Sequence, residues 1–165
     1  MVKEVFLCPA YAYLPKENTV SSSITYKRYL ESVPHKYQLL KFFRVPIYVI
    51  ELSNNQLVAT CYYKDGSSKR HQLNADFSNR RMVVADFNTF SKSLAELLMR
   101  FPKHFLWGSA IASVNVTELL EDGLTNIEVK VIIEAFFMGS TQAKRKIVHT
   151  MVNYQGQVVH LEKFG

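Results

Sequence analysis

The sequence GLTNIEVKVIIEAFFMGSTQAKRKIVH, residues 123–149, decides the fold because it predicts a helix followed by a strand. Thr125 and Glu128 have the spacing of a capping box, in which each side chain accepts a hydrogen bond from the backbone amide of the other residue. We therefore expect a helix over residues 125–138 that ends at Gly139, since glycine favours helix termination.

The apolar residues of this helix indicate which face is buried. They recur at helical spacing and form one stripe, made of Ile127, Val131, Ala135 and Met138 and widened by Ile132 and Phe136. Strand-like runs lie on both sides, at residues 111–116 and 147–151. Because a crossover helix makes its two strands parallel neighbours, we expect both strands in one sheet with the helix lying across it.

An antiparallel meander is predicted upstream of this unit. Its three strand-like runs are separated by turn-forming residues and lie at residues 47–52, 56–64 and 69–74. The first run is apolar at both alternating sets of positions, which indicates a strand covered on both faces. A helix over residues 88–101, capped by Asp86 or Asn88, and a final strand over residues 157–161 complete the predicted elements.

The length of 165 residues is typical of one domain with a core of its own. We expect a core domain over residues 46–165 and an N-terminal extension, residues 1–45, that covers an edge or face of the sheet. A partner-binding arm is the alternative for this extension. Its predicted helices are residues 23–33 and 35–43, and the side chains expected to dock on the core are Leu39, Leu40, Phe42 and Phe43.

Two motifs resemble known families. The helix motif GLTNIE, residues 123–128, together with residues 134–144, resembles the G-x-T-x-x-E helix and glycine-rich turn of the actin-like MreB family. The motif DFSNRR, residues 76–81, together with residues 123–125, resembles the YjaA-like family of small bacterial stress-associated proteins, over residues 47–150.

The resemblance and the order of the elements lead to the same fold class. A three-stranded antiparallel meander followed by two helix and parallel-strand units is the order of the ribonuclease H-like fold, from which actin-like ATPases build each half. The MreB resemblance implies this fold as well. We therefore expect an α/β ribonuclease H-like or actin-like ATPase subdomain, with a mixed sheet of antiparallel and parallel strands and helices packed on it.

Composition narrows the functional class. Hydrophobic residues at 48% are typical of a folded globular protein, and no run reaches the 18 or more apolar residues of a membrane span. The N-terminus lacks the apolar region of a signal peptide, so a cytoplasmic location is expected. Cys8 and Cys61 are too few for a disulfide framework or a metal site of their own.

Enzymatic function is not expected from these residues. Actin-like ATPases, as the resemblance implies, bind nucleotide between two halves with glycine-rich hairpins, whereas residues 51–55 contain no glycine and the chain has one half only. We therefore predict no cofactor and no catalytic residue. A ribonuclease H-like nuclease, the alternative, would place carboxylates near strand ends to hold metal ions, and the candidates are Glu51, Asp86 and Asp122. Glu128 is an alternative to Asp122, although helix capping already explains both Glu128 and Asp86.

Basic residues supply the remaining candidate site. The formal net charge is +6, and the clustered cations are Lys69, Arg70, Arg80, Arg81, Lys144, Arg145 and Lys146. If they share one side of the sheet, they form a patch that binds an anion or a partner. If they do not, they are separate groups of surface residues exposed to solvent.

The function expected from this sequence is that of a non-enzymatic protein-interaction module. The resemblances imply a bacterial protein linked to stress responses or biofilm behaviour, with MreB or a cytoskeletal regulator as a candidate partner. A homodimer is left open. The alternative is a nucleic-acid-binding or metal-dependent nucleolytic ribonuclease H-like module.

Overall fold

The computed structural model describes residues 19–43, 45–103, 109–120 and 123–159 of the chain. The helical elements are α1 (Thr19–Glu31), a 3-10 turn (His35–Tyr37), α2 (Gln38–Phe43), α3 (Phe87–Met99) and α4 (Asn126–Gln142). The strands are β1 (Ile47–Ser53), β2 (Gln56–Tyr62), β3 (Ser68–Asn74), β4 (Ser109–Val116), β5 (Lys146–Tyr154) and β6 (Gln157–Val158).

Within the described residues, the strands form one six-stranded mixed sheet of order β3-β2-β1-β4-β5-β6. Strands β1, β2 and β3 are the predicted antiparallel meander, and β1, β4 and β5 are parallel. The predicted strand–helix–strand unit is confirmed, because α4 connects the parallel neighbours β4 and β5. We call the edge where the parallel strands end, at Ser53, Val116 and Tyr154, the carboxyl edge, and the opposite edge the amino edge.

Strand β1 is buried on both faces, as its sequence predicts. One face, with Tyr48 and Ile50, belongs to the main core under α3 and α4. The other face, with Ile47 and Val49, packs with the tyrosines of α1 in a second apolar cluster. The sheet therefore lies between two helical layers, with α1 on the face opposite to α3 and α4.

Both predicted helix caps are present. Thr125 and Glu128 form the capping box at the start of α4, and the Asp86 carboxylate accepts a hydrogen bond from the Thr89 amide at the start of α3. Each helix therefore begins where its own sequence specifies, at the carboxyl edge of the sheet.

The prediction that Gly139 ends the helix is wrong. Helix α4 continues to Gln142, and the chain reverses at Lys144, which has φ 53°. A β-carbon at position 139 would lie 2.7 Å from the backbone oxygen of Ser91 in α3. The glycine therefore permits the close approach of two helices, which is an interaction distant in sequence.

The buried face of α4 also differs from the predicted stripe. Ile127 and Met138 are exposed, whereas the buried residues are Glu128, Val129, Ile132, Ala135, Phe136, Gly139 and Ser140. Ile132, Ala135 and Phe136 are buried as predicted, and Gly139 contacts α3 on the same face. The predicted stripe was wrong at Ile127 and Met138 because α4 is apolar on more than one side.

The N-terminal extension docks less completely than predicted. Helix α1 occupies the expected region, but the second predicted helix divides into the 3-10 turn and α2. Leu40 packs on the third apolar cluster, with Val33, Val45, Ile111 and Met151, whereas Leu39, Phe42 and Phe43 are exposed. A six-residue helix can turn only one side toward the sheet, and Leu40 is on that side.

The last predicted strand is confirmed at its start. Strand β6 pairs antiparallel with β5 through a turn at Gln155 and Gly156, which both have positive φ, and the end of the predicted strand lies outside the described residues. Among the described helices, none has the length and apolar content that crossing a membrane requires.

The Gly139 contact predicts the effect of a single methyl group. Ala has the better intrinsic helix propensity by about 1 kcal/mol, but Gly139→Ala should destabilise the protein by about 1–3 kcal/mol because α3 and α4 must separate. Urea unfolding measures this free energy, with Glu134→Ala on the exposed side of α4 as the control. A stabilised Gly139→Ala variant would show that propensity outweighs the contact.

The Asp86 cap predicts a pH dependence. Hydrogen bonds from the amide and then the hydroxyl of Thr89 lower the pKa of Asp86, so the cap stabilises the fold above the unfolded-state pKa of about 3.9. This stabilisation is lost as the pH falls through the lower folded-state pKa. Asp86→Ala should therefore lower the Tm at neutral pH, with a difference from wild type that shrinks in acid.

The matched variant Asp86→Asn keeps a neutral cap. Its Tm should exceed that of Asp86→Ala by an amount that does not change with pH. Thermal unfolding from neutral pH to about pH 2 makes the comparison, and a constant deficit for Asp86→Ala over this range would contradict the role of the charged carboxylate.

Candidate functional site

The turn between β1 and β2 organises the candidate site through one side chain, that of Asn55. This residue has φ 55°, a conformation that asparagine tolerates better than most residues. Its Oδ1 accepts hydrogen bonds from the amides of Phe77 (2.9 Å) and Ser78 (2.7 Å), and its Nδ2 donates to the Asp76 carboxylate (3.1 Å). The segment after β3 is therefore fixed to the hairpin.

A second asparagine shapes the tip of that segment. Asn79 Oδ1 accepts from the amides of Arg81 (2.9 Å) and Met82 (2.8 Å), and the Asn79 amide donates to the Met82 carbonyl (3.0 Å). This closed turn places Arg80 and Arg81 at its two central positions. We call residues 76–86 the arginine loop.

The arginine loop forms one wall of a cleft at the carboxyl edge, with a volume of about 750 Å³. The residues after β4 and the start of α4 form the other wall. The lining comprises Asn54, Ser78, Asn79, Arg80, Arg81, Met82, Val83, Glu118, Leu119, Leu120, Gly123, Thr125, Ile127 and Glu128. In open α/β sheets, ligands bind at this end of the parallel strands.

The surface of the cleft is both cationic and apolar. The exposed side chains of Arg80 and Arg81 make no hydrogen bond or ion pair within the part of the chain that the structure describes. Leu119 and Ile127 also lie in the lining and are 79% and 73% exposed. Two guanidinium groups that have no partner among the described residues, beside two exposed aliphatic side chains, suit a ligand that carries both negative charge and apolar surface.

Glu128 supplies a further polar atom. Its Oε2 accepts from the amide (3.0 Å) and hydroxyl (2.8 Å) of Thr125, whereas its buried Oε1 has no hydrogen-bond partner among the described residues. Glu118 holds the facing turn, since its Oε2 accepts from the Asn54 amide at 3.3 Å. Both carboxylates therefore contribute to the construction of the cleft.

The seven candidate cations do not form one patch. Arg80 and Arg81 lie at the carboxyl edge. Two other cations lie near the start of β3, Lys69 and Arg70, and three lie just before or at the start of β5, Lys144, Arg145 and Lys146. Both of these groups lie toward the amino edge. Strands β2, β1 and β4 separate the two amino-edge groups from each other.

Two of these cations have structural roles. The Arg70 guanidinium lies 3.4 Å from the Glu51 carboxylate in a partly exposed ion pair. The Arg145 guanidinium donates to the carbonyls of Leu98 and Phe101 and so satisfies the end of α3.

The candidate carboxylates of the nuclease alternative are not brought together. Glu51 pairs with Arg70, and Asp86 caps α3 on the opposite side of the sheet. Asp122 lies outside the described residues. Within the described ranges, no group of three or more His, Cys, Asp or Glu side chains has the arrangement of a metal site.

Cys61 is a buried free thiol in the main core. Burial is the main cause that raises its pKa to about 12, so the thiol is protonated at neutral pH. Since the thiolate is the reactive form, this residue is a poor nucleophile.

The sequence analysis names Arg80 and Arg81 among seven candidate cations but does not predict the residues that position them. The sequence predicts a turn at residues 53–55. Asparagine is frequent in turns at positive φ, and this preference is the only local signal for the role of Asn55. Nothing local indicates that its side chain holds a segment more than 20 residues away. The exposure of Leu119 and Ile127 was also missed, because apolar residues are expected in a core.

A scan against models of protein families and a search of curated proteins both find no match for this chain.

Proposed function

We propose that this protein is a non-enzymatic binding module, and that the cleft at its carboxyl edge binds an acidic segment of a partner protein. The observation that carries this proposal is the presence, on a loop closed by asparagine hydrogen bonds, of two arginines whose side chains are exposed and unpaired among the described residues. Because hydrogen bonds already fix the backbone of this loop, binding costs little backbone conformational freedom, which favours affinity. Arginine also forms bidentate hydrogen bonds with carboxylates.

The rest of the lining favours a protein over a nucleic acid as the partner. Leu119 and Ile127 offer exposed apolar contact area, which the apolar side chains of a peptide can use and a phosphate backbone cannot. The cations at the amino edge are too distant to extend the arginine pair into the continuous basic surface that a nucleic acid strand contacts. An acidic peptide with apolar side chains therefore fits the cleft better.

Hydrogen bonding of the β1–β2 turn supports the absence of ATPase activity. A phosphate-binding hairpin leaves its backbone amides free for the anion. Here the Asn54 amide donates to Glu118 and the Asn55 amide donates to the Ser78 hydroxyl (3.0 Å). The two donors are already used to build the cleft.

The strand order supports a relationship with the ribonuclease H-like and actin-like folds. The order β3-β2-β1-β4-β5, with α3 and α4 as the connecting helices, is the order that these folds share. With the sequence resemblance, this makes MreB or one of its regulators a candidate partner in the cytoplasm, and a role in bacterial stress or biofilm behaviour is part of the same proposal.

Charge reversal at the arginine loop tests the proposed site. The double variant Arg80→Glu/Arg81→Glu should lose at least about tenfold of the partner retained from a native cell extract, because each reversal replaces attraction by repulsion. Quantitative mass spectrometry of the captured proteins measures the loss. The matched control is Lys69→Glu/Lys144→Glu, which makes the same charge change at the amino edge and should retain the partner.

Equal capture by the wild type, the arginine-loop variant and the control variant would contradict the proposal that the cleft binds the partner. Capture of proteins other than MreB, with the same loss in the arginine-loop variant, would support binding by the cleft and exclude MreB as the partner. Metal-dependent cleavage of RNA or DNA by the purified protein, abolished by Glu51→Gln, would instead favour the nucleolytic alternative.

The role of Asn55 gives a second test at a residue outside the proposed contact surface. Asn55→Gly keeps the positive φ but removes the side-chain hydrogen bonds, so the arginine loop should lose order while both arginines remain. We expect faster amide exchange at Phe77 and Ser78, weaker partner binding and a loss of about 1–3 kcal/mol in unfolding free energy.

The control is Gln155→Gly, at another position of positive φ, in the β5–β6 turn. It should leave exchange in the arginine loop and partner binding unchanged. If Asn55→Gly binds as tightly as wild type, the asparagine scaffold is not what prepares the site.

A further inference from the structure

Helix α2 carries an exposed apolar surface that the proposed cleft does not use. Leu39, Phe42 and Phe43 are 73%, 81% and 53% exposed, although they are among the largest apolar side chains of the protein. The ring centroids of Phe42 and Phe43 lie 5.4 Å apart in an edge-to-face arrangement. We call these three side chains the α2 ridge.

Helix α2, which carries the ridge, is attached to the sheet by contacts on its inner side. Leu40, on the other side of the helix, packs on the third apolar cluster, and Tyr37 lies against the His149 ring of β5 with a centroid distance of 4.9 Å. The helix is therefore attached to the sheet through its inner side, and the side chains of the α2 ridge are each more than half exposed. Because Phe42 is four-fifths exposed, the ridge projects from the surface and is not the floor of a groove.

The charged residues of the sequence between Glu31 and Glu51 are all basic. They are Lys36, Lys41 and Arg44. Lys36 is exposed, with its ammonium 4.9 Å from the Tyr37 ring centroid. A projecting apolar ridge beside basic residues has the two features by which proteins attach to the surface of anionic bilayers.

We propose that the α2 ridge docks this protein on the surface of a membrane that contains anionic lipids. Leu39, Phe42 and Phe43 enter the boundary between headgroups and acyl chains, and the neighbouring basic residues attract the lipid phosphates. A fluid bilayer accepts projecting side chains without a matching pocket, whereas a protein partner must supply one. The chain lies on the membrane and does not span it.

Vesicle flotation with the full-length protein tests this proposal. Wild-type protein should float with vesicles of phosphatidylcholine and phosphatidylglycerol, should float poorly with phosphatidylcholine alone, and should dissociate as salt is raised. Phe42→Ser/Phe43→Ser should reduce the bound fraction by about tenfold or more. The matched control, Phe137→Ser/Met138→Ser, removes two exposed apolar side chains from α4 and should float as wild type does.

Three results would overturn the proposal. These are equal flotation of the wild type and Phe42→Ser/Phe43→Ser, wild-type flotation that is independent of anionic lipid, and no flotation of the wild type. In the last case, sedimentation that shows a dimer dissociated by Phe42→Ser/Phe43→Ser would assign the ridge to a second copy of the chain.

The flotation result is separate from that of the proposed cleft. Arg80→Glu/Arg81→Glu should float as wild type does, and Phe42→Ser/Phe43→Ser should still capture the protein partner. Each surface can therefore fail its own test without affecting the other.

Discussion

The contact between Gly139 of α4 and the Ser91 carbonyl of α3 is the constraint on which the rest of the structure depends. Because Gly139 has no β-carbon, the backbones of α3 and α4 approach closely at this point, with the Gly139 side of α4 turned toward α3. In this rotation of the helix about its axis, Glu128 is directed inward and Ile127 outward. Both residues line the cleft at the start of α4, so a contact at one end of the helix determines the chemistry presented at the other.

The parts of this fold that sequence could predict are those set by neighbours along the chain. The capping box needs only Thr125 and Glu128, and the cap of α3 needs only Asp86 and Thr89, so both helix starts were predictable. Gly139 was misinterpreted because its role depends on Ser91, which no local pattern reveals. Asn55 was missed for the same reason, since its hydrogen bonds reach Phe77 and Ser78 across the hairpin.

The distribution of positive charge shows why a net charge of +6 does not by itself define a binding surface. Arg70 is paired with Glu51, and Arg145 is used to satisfy the carbonyls at the end of α3. The sheet then separates Lys69 from Arg80 and Arg81 by the length of β3. Grouping the basic residues therefore required the strand register, which composition does not contain.

The β1–β2 turn connects the fold to the proposed function. Its two amides, on Asn54 and Asn55, point to protein acceptors, Glu118 and the Ser78 hydroxyl, and these contacts join the turn to both walls of the cleft. A turn whose donors are already bonded to the protein has none left for a phosphate group. The bond from the Asn55 amide to Ser78 also holds the arginine loop in place, and the guanidinium groups of this loop, on Arg80 and Arg81, can donate to a ligand. Under the proposed function, the cleft recognises its partner through side chains because its backbone donors are used to build it.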